Sequence, residues 1–188
     1  MNIKSMLMVL LLFVAGGCAV VREPVGDKPL NIQAERDAWE GVWLMDGQIP
    51  VTVKVLDGSN GVLQVGWIQD DDDGNMELKT AAVHLREGGG WTFATLIPVG
   101  YEDDIFLWGR MVRNERQCVV WLPSVGRIRS LVDKGLLPGD DGESPDGTSK
   151  PGVELGTLGP DHLKLLTSDT HGVLFDWDKP IVFNKVGE

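Results

Sequence analysis

From residue 41 onward, hydrophobic and polar positions alternate with the period of two that half-buried β-strands show. Polar residues such as Thr52 and Lys54 fall between the hydrophobic ones. The hydrophobic positions that share one face of the first long strands are Val51, Val53, Val55, Leu63, Val65 and Trp67. This pattern predicts strands that bury one face against a common interior.

Short polar or glycine-rich segments separate the predicted strands, at residues 57–61, 70–75, 88–90 and 114–115. Strands joined by such short links pair as antiparallel neighbours, because a parallel return needs a crossover of about a dozen residues. The predicted fold is therefore mainly β, an antiparallel meander that forms a curved sheet or a barrel. A change of parity along the strand over 76–86 predicts a bulge near residues 80–82.

After Pro123 the hydrophobic spacing becomes helical. It predicts two short C-terminal helices, one over residues 124–134, for which a strand is the alternative, and one over 160–166. Between them, residues 139–152 are rich in acidic residues and glycine, which predicts a mobile loop. Residues 173–175 and 181–183 are strand-like and are predicted to return to the sheet as a closing or edge strand.

The N-terminus carries a different pattern. After Lys4, residues Met6 to Ala15 form an uncharged apolar run of 10 residues. At about 1.5 Å per helical residue this run is too short to span a hydrocarbon core of about 30 Å. It therefore predicts a signal peptide over residues 1–17.

The residues after this run, Ala15-Gly16-Gly17-Cys18, resemble the lipobox of bacterial lipoproteins. The family usually has Leu where this chain has Ala15. The resemblance implies that Cys18 is the first mature residue, with diacylglycerol on its sulfur and a further acyl chain such as palmitate on its amine. Because Ala19 follows, and not Asp, it also implies the periplasmic face of the outer membrane. The alternative is a plain cleaved signal with an incidental cysteine.

Residues 18–38, which include Pro24, Gly26 and Pro29, show no sustained apolar periodicity. They are predicted to form a lipidated tether that holds the domain about 25 Å from the bilayer. A single helical turn is predicted within residues 31–37. Residues 39–188 are then one β-rich domain, of a size that can bury its own core.

The charge of the chain restricts its partners. Removing residues 1–17 leaves 16 Lys and Arg against 28 Asp and Glu, a net charge of −12. Phosphate backbones and anionic head groups repel such a chain, so nucleic acid is not expected as a partner and the membrane is reached through Cys18. Cys118 is the only other cysteine, so no intramolecular disulfide is expected, and Cys118 is predicted to be a buried thiol.

No pattern in the sequence nominates a catalytic residue, a cofactor or a metal site. His84, His162 and His171 are far apart, and no Gly-x-Ser-x-Gly motif is present. The acidic run before Gly74 does not fit an EF-hand, because Gln69 takes the first ligand position. The chain is therefore expected to be non-catalytic.

Gly41-Val42-Trp43 opens the first strand and resembles the Gly-x-Trp motif of lipocalins. In that family the tryptophan plugs one end of an eight-stranded barrel that binds a small apolar ligand. The sequence predicts a binding or assembly module for an envelope protein, and the alternative is a lipocalin-like carrier of a small apolar ligand. A filled interior with an exposed apolar patch near residues 173–183 would favour the module. A dry cavity would favour the carrier, and its predicted lining is Trp43, Trp67, Trp91 and Phe93.

Overall fold

The computed structural model describes residues 18–70, 74–99, 105–142, 152–168, 170 and 173–187. Within these ranges the strands are β1 (Ala19–Val21), β2 (Lys28–Pro29), β3 (Gly41–Met45), β4 (Ile49–Asp57), β5 (Val62–Asp70), β6 (Met76–Gly88), β7 (Trp91–Pro98), β8 (Phe106–Arg113), β9 (Gln117–Trp121), β10 (Gly139–Gly142), β11 (Gly152–Leu155) and β12 (Ile181–Lys185). The helices are α1 (Arg36–Trp39), α2 (Val125–Asp133) and α3 (Pro160–Thr167), and a 3₁₀ turn, Gln33–Glu35, precedes α1.

Eight of the strands close into an antiparallel barrel. The order around it is β3, β4, β5, β6, β7, β8, β9 and β12, and β12 pairs with both β9 and β3. This confirms the predicted antiparallel meander and its curling into a barrel. The strand-like segment at 181–183 is the closing strand, whereas Phe175 of the segment at 173–175 forms only an isolated bridge to Pro123.

The alternation along β4 and β5 explains why these strands pair in the observed register. Val51 lies opposite Trp67, and the pairs Val53–Val65 and Val55–Leu63 continue the same inward face. Such cross-strand pairs each contribute about 0.2–1 kcal/mol. A slip of one residue would turn all of them toward solvent, so the hydrophobic pattern fixes the register.

The predicted bulge near residues 80–82 is wrong. Pairing between β5 and β6 is regular from Val62 opposite His84 to Asp70 opposite Met76. The parity changes because Met76 and Leu78 point outward, where they are 81% and 67% exposed. The shift of register lies instead in β4, between Val55 and Asp57.

A second layer covers the outside of the barrel at β7 and β8. Strands β1, β11 and β10 extend the sheet beyond β8, and helices α2 and α3 pack with them. The predicted helix over 124–134 is confirmed against its strand alternative: Ile128 and Leu131 are buried, and Gly135, at φ +68°, ends the helix. The predicted helix over 160–166 is confirmed as α3.

The N-terminal segment differs from the expected flexible tether. Ala19–Val21 is a buried strand that pairs with β8 and with β11, and Val25 and Ile32 are also buried. The short apolar run of β1 lies between β8 and β11, two strands that are far away in sequence. The prolines and glycines that follow it predict a tether, and no local pattern reveals these partners. The single turn expected within 31–37 is found as the 3₁₀ turn that leads into α1.

The predicted mobile loop over 139–152 differs from the structure at both ends, which form strands. Gly139–Gly142 and Gly152–Leu155 pair with each other as β10 and β11, while residues 143–151 lie outside the described part of the chain. The predicted signal peptide, residues 1–17, lies outside it as well. None of the helices that the structure describes is long and apolar enough to cross a bilayer.

Candidate functional site

An apolar cavity of about 270 Å³ lies inside the barrel. All eight barrel strands contribute to its wall, and α1 contributes Trp39. The lining residues are Trp39, Trp43, Met45, Val51, Val53, Leu63, Val65, Trp67, Val83, Leu85, Ala94, Leu96, Leu107, Trp108, Gly109, Met111, Cys118, Val120, Leu122, Ile181 and Phe183. None of them is charged, so the wall offers a ligand mainly dispersion contacts and exclusion from water.

The sizes of the inward side chains explain why the barrel is not filled. An eight-stranded barrel is just wide enough either to be packed by its own side chains or to hold one small ligand. Here β7 and β8 present Ala94 and Gly109 to the interior, and the facing strands present valines such as Val53 and Val65. These short side chains leave space at the centre, and apolar space of this kind binds apolar molecules in preference to water.

Two tryptophans close one end of the barrel. Trp39 comes from α1 and Trp43 from β3, and both are buried. Trp43 donates a hydrogen bond from Nε1 to the carbonyl oxygen of Trp39 at 2.9 Å. The neighbouring side chains that pack with them are Ile32, Val55, Leu63, Leu85, Met111 and Cys118. The cavity therefore has a tightly packed floor.

Glu40 and Arg36 clamp α1 to the barrel wall. A Glu40 carboxylate oxygen accepts hydrogen bonds from the backbone N–H of Val55 and from Arg36, each at 3.0 Å. Arg36 also donates to the carbonyl oxygen of Val55 at 2.8 Å. The bond from Val55, followed by the one from Arg36, lowers the pKa of Glu40 below its usual value. These contacts satisfy the backbone N–H and carbonyl oxygen of Val55, which lies beyond the last pair of β4 with β3, Val53 opposite Gly41.

Two cations cover the floor from the outside. The guanidinium of Arg113 lies 4.3 Å from the ring centroid of Trp39 and pairs with Glu35 at 2.8 Å. The Nζ of Lys185 donates to the carbonyl oxygen of Asp37 at 2.6 Å and lies 5.9 Å from the ring of Trp43. Both contacts favour the observed positions of the tryptophans through cation–π attraction.

The opposite ends of the strands form the other end of the cavity. There the lining residues are Met45, Trp67, Leu96, Leu107, Leu122 and Ile181. Leu107 is 37% exposed, so apolar surface continues from the cavity to solvent. Since the floor is closed by Trp39 and Trp43, a ligand would enter at this end.

The structure brings together two of the four residues predicted to line a cavity. Trp43 and Trp67 line it, whereas Trp91 and Phe93 lie on the outer face of β7. Trp91 and Phe93 therefore do not line the cavity, contrary to the prediction, and the cause is clear. Both faces of β7 are covered, so alternation along the strand does not reveal which face is inside, and it is Ala94 and Leu96 that point inward. Sequence reasoning also missed Trp39, although it stands four residues before Trp43.

The two cysteines have different surroundings. Cys118 lines the cavity and is buried, and burial raises the pKa of its thiol to about 12. The predicted buried thiol is therefore confirmed, and it is uncharged at neutral pH. Cys18 is partly buried, and its carbonyl oxygen accepts a hydrogen bond from Val153 at 2.9 Å. Its lipidation stays a prediction.

Comparison with protein-family models, with curated proteins and with solved structures finds no match to this chain. In the part of the chain that the structure describes, no group of three or more His, Cys, Asp or Glu could hold a metal ion. The fold and the site thus define a closed eight-stranded antiparallel β-barrel with an internal apolar cavity.

Proposed function

We propose that this protein is a carrier that binds a small apolar ligand inside its barrel and performs no catalysis. The cavity carries the proposal, because its wall is apolar on every side and its floor is closed. The resemblance of Gly41-Val42-Trp43 to the lipocalin motif supports the same function, since Trp43 takes part in the floor.

The cavity volume limits the size of the ligand. An apolar cavity of about 150 Å³ accommodates benzene, and the space here is about 270 Å³. A fused pair of rings or an acyl chain of roughly ten carbons fits this volume. Each methylene that leaves water contributes about 0.8 kcal/mol, so such a ligand can bind tightly without polar contacts.

The proposed location is the periplasmic face of the outer membrane, with lipid on Cys18. It rests on the signal-like N-terminus and on the resemblance to the lipobox. Cys18 immediately precedes β1, so acyl chains there would hold the barrel against the bilayer and not about 25 Å away from it. The carrier would then work beside a source of apolar molecules.

A binding or assembly module for an envelope protein is the second candidate function. Exposed apolar side chains favour it: Ile68 and Leu78 lie opposite each other on β5 and β6, and Val173 is 49% exposed. Exposed apolar side chains that adjoin each other, as Ile68 and Leu78 do, are typical of protein contacts. The two functions differ in whether the ligand occupies the barrel or the outer surface.

Native mass spectrometry of the whole protein, purified from its host in mild detergent, tests the carrier. We expect extra mass that disappears on denaturation and that identifies the ligand. An apo mass throughout, combined with cross-links to one envelope protein in intact cells, would support the module instead.

A matched pair of variants tests whether the ligand binds inside the barrel. Val53→Phe fills the cavity from β4, whereas Thr52→Phe adds the same ring to the outer face of the same strand. We expect Val53→Phe to lose the bound ligand and Thr52→Phe to retain it. Equal ligand content in the two variants would argue against binding inside the barrel.

A further inference from the structure

Arg110 lies outside the barrel cavity, on the outer face of β8, among three tryptophans. Its guanidinium carbon is 3.8 Å from the ring centroid of Trp91, 4.7 Å from that of Trp177 and 5.9 Å from that of Trp121. The rings of Trp91 and Trp177 are inclined at 77°, so they hold the guanidinium in a corner. Cation–π attraction fixes its position but uses none of its N–H donors.

Among the described residues, none forms a hydrogen bond or an ion pair with this guanidinium. Its Nε is buried and unbonded, and burial lowers the pKa of Arg110 below its usual value. The arginines that pair with carboxylates in the described structure are Arg22, Arg36, Arg113 and Arg129. Arg110 is thus held in place with its donors unused, although the chain is rich in acidic residues.

A pocket of about 330 Å³ adjoins Arg110. Its polar walls include Arg113, Asn31 and Thr92, and the open space beside Gly90 keeps backbone accessible. Arg110 and Arg113 bring two positive charges to this pocket. Among the residues that line it, Glu35 is the only acidic one, and it pairs with Arg113. The lining therefore carries a net charge of +1 in a protein that is strongly negative.

We propose that this pocket is a second binding site and that Arg110 anchors a small oxyanion there, a carboxylate or a phosphate. A guanidinium offers donors in a planar fork that matches either group with two parallel hydrogen bonds. The tryptophans fix the fork before the anion arrives, which lowers the entropic cost of binding. The site lies outside the barrel, although Trp39 and Met111 line both this pocket and the barrel cavity, and it does not depend on the carrier function.

Titration by NMR of the whole protein tests this site. Sodium phosphate and sodium acetate are added separately, against sodium chloride at the same ionic strength, while the Arg110 Nε–H and the Trp91 indole N–H are observed. We expect a saturable shift of both signals with phosphate or with acetate, and the anion that saturates at lower concentration identifies the ligand class. Shifts that are equally large with chloride would overturn the proposal.

Variants separate binding from a purely structural role of Arg110. We expect Arg110→Gln to weaken anion affinity about tenfold or more, as the loss of a charged hydrogen bond implies. Arg127→Gln removes the same charge from an exposed position on α2 and should leave the affinity unchanged. If Arg110→Gln fails to fold, Arg110→Lys keeps a cation beside the rings but loses the fork, and a weaker affinity is expected there too. Unchanged affinity in a folded Arg110 variant would overturn the proposal.

Discussion

The two hydrophobic regions of this molecule differ in their residues and in their packing. Outside the barrel, aromatic rings are in mutual contact, with centroids 5.7 Å apart for Trp91 and Phe175 and 5.8 Å for Trp108 and Phe175. Inside the barrel, the centre is an open cavity whose wall is mostly aliphatic. The outer layer is a filled core, whereas the barrel interior is filled only at its floor.

Because of this difference, we expect the outer layer to determine stability and the barrel interior to determine ligand binding. Edge-to-face aromatic contacts contribute about 0.5–1.5 kcal/mol beyond burial, so the outer layer stabilises the fold. A barrel supported from outside tolerates an unfilled centre, because the layer of β1, β10, β11, α2 and α3 supplies packing that the interior lacks. Stability and ligand binding should therefore respond to different substitutions.

The largest expected effect is the loss of a ring from the outer layer. Phe175 is 2% exposed and contacts three tryptophans, so Phe175→Ala should reduce the free energy of unfolding by about 3–5 kcal/mol. Val53→Ala only enlarges an existing cavity and should cost about 1 kcal/mol or less. Urea denaturation of the two variants measures the difference. Equal losses would mean that the two regions contribute alike to stability.

A smaller effect is expected at the floor of the cavity. Trp43→Phe removes the hydrogen bond to the carbonyl oxygen of Trp39 and part of a buried ring, which should cost about 1–2 kcal/mol in the free energy of unfolding. Because the floor closes the cavity, ligand affinity should fall as well. Val42→Phe, at an exposed position on the same strand, is the control. If Trp43→Phe lost affinity without losing stability, Trp43 would contribute to ligand binding and not to the stability of the fold.

The thiol of Cys118 reports on occupancy of the interior. Burial keeps the Cys118 thiol protonated, because its pKa is raised to about 12, so a thiol reagent should modify it slowly in the folded protein. We expect a bound apolar ligand to slow modification further, since Cys118 lines the cavity. Mass spectrometry over time, with and without ligand, follows the reaction. A rate that does not change with ligand would indicate binding elsewhere.

The smallest expected effect lies at the turn after β4. Hydrogen bonds from Ser59, and then from Asn60, lower the pKa of Asp57 from 3.8 to about 2. A lowered pKa means that the ionised carboxylate stabilises the folded state above about pH 4, and that this contribution is lost as the pH falls toward 2. Asp57→Asn should therefore show a shallower loss of stability over that interval. Asp178→Asn makes the same change of charge at another exposed site and is the control in urea denaturation across pH 2–5.

Local patterns predicted the barrel, but they did not predict its second layer. The alternation along β4 and β5, the short links and the helical spacing after Pro123 are properties of neighbouring residues, and each matches the structure. The role of Ala19–Val21 depends on β8 and β11, which no local pattern reveals. Because the same layer covers the outer face of β7, the outer positions Trp91 and Phe93 are as apolar as the inner ones. The alternation along β7 therefore does not show which face points into the barrel.

For the cavity, the sequence predicted Trp43 and Trp67 through their strand positions. It did not predict the cavity's existence, because empty space depends on the sum of side-chain volumes around a closed ring. Ala94 and Gly109 are unremarkable in the sequence, and only the closed barrel sets them across from valines. The closed floor also depends on Trp39. The hydrogen bond between Glu40 and Val55 positions Trp39 at the end of the barrel.

The burial of β1 also sets an order of events during synthesis. Ala19 pairs in parallel with Val153, 134 residues further along the chain, so this strand can dock only after most of the protein has been made. If the chain is cut before Cys18 as the resemblance to the lipobox implies, the peptidase needs the same residues extended and accessible. In that case we expect the proposed cleavage to precede the docking of β1 against β11.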